Sequence, residues 1–159
     1  MDFSNLIAIS VDDNQKNLEL TEQLASEIGI KIKTFLDPQT ALEFCRTEKI
    51  DIAFIDYKMP KMTGIELISQ LRPYHPDIPI IMVTAVHEVA DLKIDAIKAG
   101  ATDFIHKPID VDEFIARTQN LAQLRIYQLI HKENEEKLKE DVSTAINQIE
   151  QRDLETLDV

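Results

Sequence analysis

Five short apolar runs alternate strictly with longer segments of helical period, and no other feature of the chain constrains its fold as tightly. The runs cover residues 6–11, 30–35, 52–55 and 80–83, and the pair Phe104 and Ile105. Between them, apolar residues recur mostly at three- and four-residue spacings: Leu20, Leu24 and Ile28, then Ala41, Leu42 and Cys45, then Ile65, Ile68 and Leu71, then Val89, Leu92 and Ile97. Such spacings gather on one face of a helix. A strand followed by a helix and then another strand requires a parallel sheet, with helices on both faces. Ile80-Ile81-Met82-Val83 is apolar throughout, as a strand buried on both faces must be. Local punctuation agrees. Gly29 and Gly100 stand where helix stops belong. Asp37-Pro38 offers an N-cap with proline at the first helical position, and Asp110 a cap for a last helix.

Composition narrows the function. The chain has 159 residues, 44% of them hydrophobic, enough for a core without disulfide or metal staples. Its 17 basic and 29 acidic side chains give a formal charge of −12, which repels phosphate backbones and acidic membranes. Nucleic acid is therefore not expected as a partner, and neither is a membrane. A single cysteine, Cys45, excludes an internal disulfide and a cysteine-cluster metal site. His75, His87, His106 and His131 lack ligand-like spacing. The start lacks the basic region of a secretory signal, so a cytoplasmic location is expected.

In an open parallel sheet, sites form at the carboxyl ends of the strands beside the point where strand order reverses. The first run ends in Asp12-Asp13, the third in Asp56, the fourth in Thr84, and the fifth near Lys107. Taken singly, each has an ordinary explanation: Asp12 and Asp13 as helix caps, Asp56 as a turn former, Thr84 as a strand residue and Lys107 as a surface lysine. Together they place three carboxylates, a hydroxyl and an ammonium on one edge. Clustered like charges call for a cation, and Mg²⁺ is held by carboxylates, waters and phosphate oxygens. The lysine and hydroxyl suit a phosphoryl group, and the central acid suits a carboxylate nucleophile. Transfer would then rest on positioning and electrostatics.

These fragments, in this order, resemble the receiver domain of bacterial two-component response regulators from about Leu6 to Leu124: Val11-Asp12-Asp13, Asp56-Tyr57-Lys58-Met59-Pro60 with Gly64, Val83-Thr84-Ala85, and Gly100-Ala101 through Lys107-Pro108. The resemblance implies a flavodoxin-like, doubly wound sheet of strand order 2-1-3-4-5. It implies that Asp56 accepts a phosphoryl group from a sensor histidine kinase or phosphotransfer protein. Asp13, Asp56 and the Lys58 carbonyl would ligate Mg²⁺ directly, with Asp12 acting mainly through water. Lys107 would pair with one phosphoryl oxygen and Thr84 with another, Phe104 would be the aromatic switch residue, and the Lys107-Pro108 bond would be cis. Such a protein is a regulatory phosphoacceptor rather than an enzyme, apart from slow self-dephosphorylation. Phe104 replaces the frequent Tyr, Asn14 a frequent Glu, and Lys61 a common Gly. An aspartate-nucleophile phosphatase of the haloacid-dehalogenase type would instead need a second Asp where Lys58 stands.

From Asp110 onward the chain has no glycine or proline. Leu121, Leu124, Leu138, Val142, Ala145 and Ile149 fit positions a and d of one heptad frame, which also puts Gln128, His131 and Glu135 on the seam. The expectation is a receiver over residues 1–124 and an extended helix or coiled-coil connector over 125–159. A parallel homodimer would use this helix and the face from the fourth to the fifth helix; a solvated single helix is the alternative. Residues 149–157 resemble the connector that precedes HD-GYP cyclic-di-GMP phosphodiesterase domains. The ending lacks a helix stop, so an output domain beyond it is expected, with an intact, naturally short protein as the alternative.

Overall fold

In the computed structural model, which describes residues 1–85 and 89–157, five strands and five helices alternate as the sequence pattern requires. They are β1 (Ile7–Val11), α1 (Gln15–Glu27), β2 (Lys31–Phe35), α2 (Pro38–Thr47), β3 (Ile52–Asp56), α3 (Gly64–Leu71), β4 (Ile80–Ala85), α4 (Val89–Ala99), β5 (Asp103–Lys107) and α5 (Val111–Leu157). The strands form one parallel sheet in the order β2-β1-β3-β4-β5. Chain direction across the sheet reverses once, so the right-handedness of strand-helix-strand connections puts α1 on one face and α2, α3 and α4 on the other. His87 lies outside the described residues.

Side-chain alternation along the strands builds a core on each face. Ile9, Val11, Ala53, Ile55, Ile80 and Met82 pack with Leu42, Cys45, Leu67, Ile68, Leu71 and Ala96 from α2, α3 and α4. On the opposite face, Phe54 of β3 stacks on Phe114 of α5, ring centroids 5.2 Å apart. Every residue of β3 is buried, as expected for the central strand.

Helix ends follow local chemistry. Asn14, not Asp12 or Asp13, caps α1, its side chain accepting from the amides of Lys16 and Asn17. Asp37 caps α2 ahead of Pro38, and Thr63 and Glu66 form a reciprocal capping box on α3. Gly29 and Gly100 adopt φ of 83° and 120°, the left-handed region in which a helix stop favours glycine.

Two helix faces differ from expectation. On α1 the buried residues are Leu18, Thr21, Leu24 and Ala25, while Leu20 is half-buried. On α4, Ala96 is buried with Leu92 and Ala99 beside it, and Ile94 and Ile97 are exposed. A small alanine faces the sheet there because it lets the helix backbone approach closely.

The chain divides into two compact units, Met1–Arg125 and Ile126–Val159. In the first, Arg125 pairs with Asp51 at 3.1 Å, and Asp51, only 1% exposed, also accepts the Ile7 amide at 2.9 Å. In the second, residues 126–157 are helical, with Leu138, Val142, Ile146, Ile149 and Leu154 exposed. Among the described residues, no helix is long and apolar enough to cross a membrane.

Candidate functional site

The reversal of strand order lies between β1 and β3, and the carboxyl ends of these strands carry Asp12, Asp13 and Asp56. One carboxylate oxygen from each lies within 4.8 Å of the others. Asp12 and Asp56 are buried and Asp13 is exposed, so the cluster opens to solvent on one side. Asp12 is fixed by accepting the Asn14 amide at 2.9 Å.

Lys107, the last residue of β5, reaches across to this cluster. Its Nζ lies 3.0 Å from Asp56 Oδ1 and 3.2 Å from Asp12 Oδ2. Two of the three carboxylates therefore share one ammonium. Burial pushes the Asp56 carboxyl up to about 6 from its ordinary 3.8; the Lys107 hydrogen bond pulls it back, and the charges of Asp12 and Asp13 add to the rise. Burial draws the Lys107 ammonium down, but its bonds and charge interactions with Asp56 and Asp12 outweigh this and hold its pKa above the ordinary value.

The loop leaving β3 is tied down at several points. Met59 is buried in the core, while Lys58 beside it is exposed. The Gly64 amide donates to the Tyr57 carbonyl at 2.8 Å. A Cβ at Gly64 would overlap the Asp56 carbonyl oxygen and come within 3.0 Å of Tyr57 Cα, which explains the glycine eight positions after Asp56. Lys61 in the same loop has φ of 71°, in the left-handed region that favours glycine.

Thr84 sits near the end of β4, one residue past Val83, which is the register partner of Asp56. It is 1% exposed. Phe104 pairs in register with Met82, is half-buried against the core, and has Lys93 Nζ 5.5 Å from its ring centroid. The Lys107-Pro108 bond is cis. Every site residue expected from the sequence thus lies at the carboxyl edge of the sheet or in the loop leaving it, save Phe104, the second residue of β5.

Sequence reasoning missed Arg72 as a positioning residue. Its guanidinium donates to the carbonyls of His75 at 2.9 Å, Ile78 at 2.7 Å and Gly100 at 2.7 Å, tying the exit of α3 to the exit of α4 just before β5. Its Gly100 partner lies 28 residues away, too far along the chain for any local pattern to reveal it.

The sequence model of the response regulator receiver domain matches residues 8–119. The cyclic di-GMP phosphodiesterase response regulator RpfG of Xanthomonas campestris pv. campestris is 35% identical over 153 residues, 94% of this chain and 40% of that protein. The regulatory protein VanRc of Enterococcus gallinarum is 33% identical over 120 residues, 76% of this chain and 50% of that one. The receiver domain of the Francisella response regulator 1452 superposes with a TM-score of 0.68 at 30% identity, covering 75% of this chain and 98% of that one. The chain thus spans half or less of the length of either full-length relative.

Proposed function

Because the chain belongs to the response regulator receiver family, we propose that it is a phosphorylation-dependent switch in a two-component phosphorelay, with Asp56 as the acceptor. The observation that carries this is the cluster of Asp12, Asp13 and Asp56 with Lys107 Nζ 3.0 Å from Asp56. A sensor histidine kinase or phosphotransfer protein supplies the phosphoryl group. An Asp56 carboxylate oxygen attacks phosphorus, the new O–P bond forms as the P–N bond to the donor imidazole breaks, and the imidazole leaves. With its carboxyl at about 6, Asp56 is ionised and nucleophilic at neutral pH.

An all-oxygen, carboxylate-rich donor set with one open side fits Mg²⁺. Asp13, Asp56 and the Lys58 carbonyl would hold it, with Asp12 acting through water. When bound, the ion offsets the charge of the carboxylates and of the incoming phosphoryl oxygens. Lys107 exchanges its bond to Asp56 for one to a phosphoryl oxygen, and the Thr84 hydroxyl donates to another. Withdrawal of Thr84 toward the site frees space on the face of β4 and β5, into which Phe104 moves; α4 and β5 then repack.

The output is proposed from similarity. The match to RpfG extends well past residue 119, whereas that to VanRc covers 120 residues. This favours a connector of the HD-GYP type in residues 125–159, leading to an enzymatic output such as a cyclic-di-GMP phosphodiesterase. A second copy of the chain is the proposed homodimer partner.

Beryllofluoride with Mg²⁺, a mimic of the aspartyl phosphate, tests the switch. Amide resonances of Thr84, Phe104 and Lys107 should shift together, and the Asp56→Asn variant should show no such change. Unmoved resonances in the unsubstituted chain at saturating reagent would refute it.

A further inference from the structure

The second unit carries a polar pattern that a parallel helix pair does not accommodate. In the heptad frame, a positions are Glu135, Val142, Ile149 and Thr156, and d positions are His131, Leu138, Ala145 and Arg152. A parallel pair sets each of these against its own copy. Glu135 then opposes Glu135 and Arg152 opposes Arg152, two layers of like charge flanking the apolar ones. The rim offers no relief: Asn134 would face the partner's Lys139, Asp141 the partner's Ile146, and Gln148 the partner's Asp153.

Antiparallel pairing resolves the conflict in a single register. Layers in such a pair join an a residue to a d residue. Setting Leu138 against the partner's Ile149, and Val142 against the partner's Ala145, gives by symmetry four consecutive apolar layers from the stripe. A shift of one heptad either way leaves only two apolar layers and sets the remaining stripe residues against polar or charged ones. The apolar register alone then dictates the next layer outward, which is Glu135 against the partner's Arg152. It also brings Lys132 level with the partner's Asp153 on the rim, and lays the Lys139 stem beside the partner's Ile146. Every charge that interrupts the seam acquires an opposite one.

Leu138, Val142, Ile146 and Ile149 are between 49% and 64% exposed, so the stripe is uncovered within its unit. Leu138, Lys139, Val142, Ser143 and Ile146 line one shallow groove there. Among the described residues, Glu135 Oε1 meets only its own-helix neighbour His131 Nε2, at 3.2 Å, both largely exposed.

We propose that residues 131–156 form a homodimer contact in which two copies of this helix pair antiparallel, locked in register by Glu135 and the partner's Arg152. This departs from the parallel pair expected from the heptad alone, and it does not depend on the chemistry at Asp56. The test uses the full chain. Oxidation of a mixture of Glu135→Cys and Arg152→Cys chains should give a disulfide-linked heterodimer, with neither variant cross-linking to itself; native Cys45 is 1% exposed and does not compete. In sedimentation equilibrium, Glu135→Arg or Arg152→Glu alone should weaken self-association roughly tenfold or more, and the double reversal should restore it. Circular dichroism checks that helix content is unchanged. Disulfide-linked dimers formed by either cysteine variant alone, a double reversal that fails to rescue, or a monomeric mass at every concentration would each overturn the proposal.

Discussion

Replacing Asp56 by Asn should stabilise the fold in the absence of divalent metal, although it removes an ion pair. Burial holds the carboxyl at about 6 in the folded chain, against an ordinary 3.8. Below pH 4 both states carry the proton and nothing is lost. As pH rises through 4 to 6, the unfolded chain releases its proton first, so the contribution of this group to stability falls. Above pH 6 the full penalty applies: a difference of 6 − 3.8 at 1.36 kcal/mol per unit gives about 3 kcal/mol. Lys107 is not stranded by the change, because Asp12 remains 3.2 Å away and the Asn carbonyl still accepts. The variant should therefore melt about 10 °C above the unsubstituted chain at pH 7.5 in chelator. The gain should shrink toward zero near pH 4. Saturating Mg²⁺ should narrow the gap at pH 7.5, since the ion binds the intact cluster and adds roughly 2.7 kcal/mol at 100 times its dissociation constant. Thermal unfolding between pH 4 and 8, with and without Mg²⁺, reads all three. A variant no more stable than its parent at pH 7.5 in chelator, or a gain that ignores pH, would refute the reasoning.

Other substitutions probe the scaffold around the site. Gly64→Ala drives a Cβ into the Asp56 carbonyl and should cost about 2 kcal/mol and weaken Mg²⁺ affinity, read by denaturant melts and calorimetry. Lys61→Gly relieves a side chain held at φ 71° and should raise stability by up to about 1 kcal/mol, so a lower denaturation midpoint would contradict the strain. Thr118 on α5 is fully buried and its hydroxyl has no hydrogen-bond partner; Thr118→Val should gain about 1 kcal/mol in the same assay, and a loss would mean the hydroxyl is satisfied.

The sheet was legible because buried parallel strands must be apolar, and runs such as Ile80-Ile81-Met82-Val83 have no other use. The site was legible because strand ends converge: Asp12-Asp13, Asp56 and Lys107 lie far apart in sequence, yet the topology brings the three carboxylates within 4.8 Å of one another and Lys107 Nζ within 3.2 Å of Asp12 and Asp56. Helix faces were less so. Ile97 looked like the inward residue of α4 because hydrophobicity alone suggested it, but the small Ala96 takes the buried position. The α1 cap fell to Asn14 because Lys107 and the Asn14 amide already occupy Asp12. Contacts between distant polar residues, Arg72 with Gly100 and Asp51 with Arg125, leave no periodic trace. The rise of the Asp56 carboxyl depends on burial, which composition does not reveal.

The central claim is that Asp56 takes a phosphoryl group with help from the acids around it. Intact mass after treatment with acetyl phosphate, in Mg²⁺ and in chelator, tests it most directly. The account predicts a single phosphate-sized gain that requires Mg²⁺ and is absent from Asp56→Asn. A gain that persists in Asp56→Asn, or no gain from the folded chain with Mg²⁺ and either acetyl phosphate or a phosphorylated histidine donor, would contradict it.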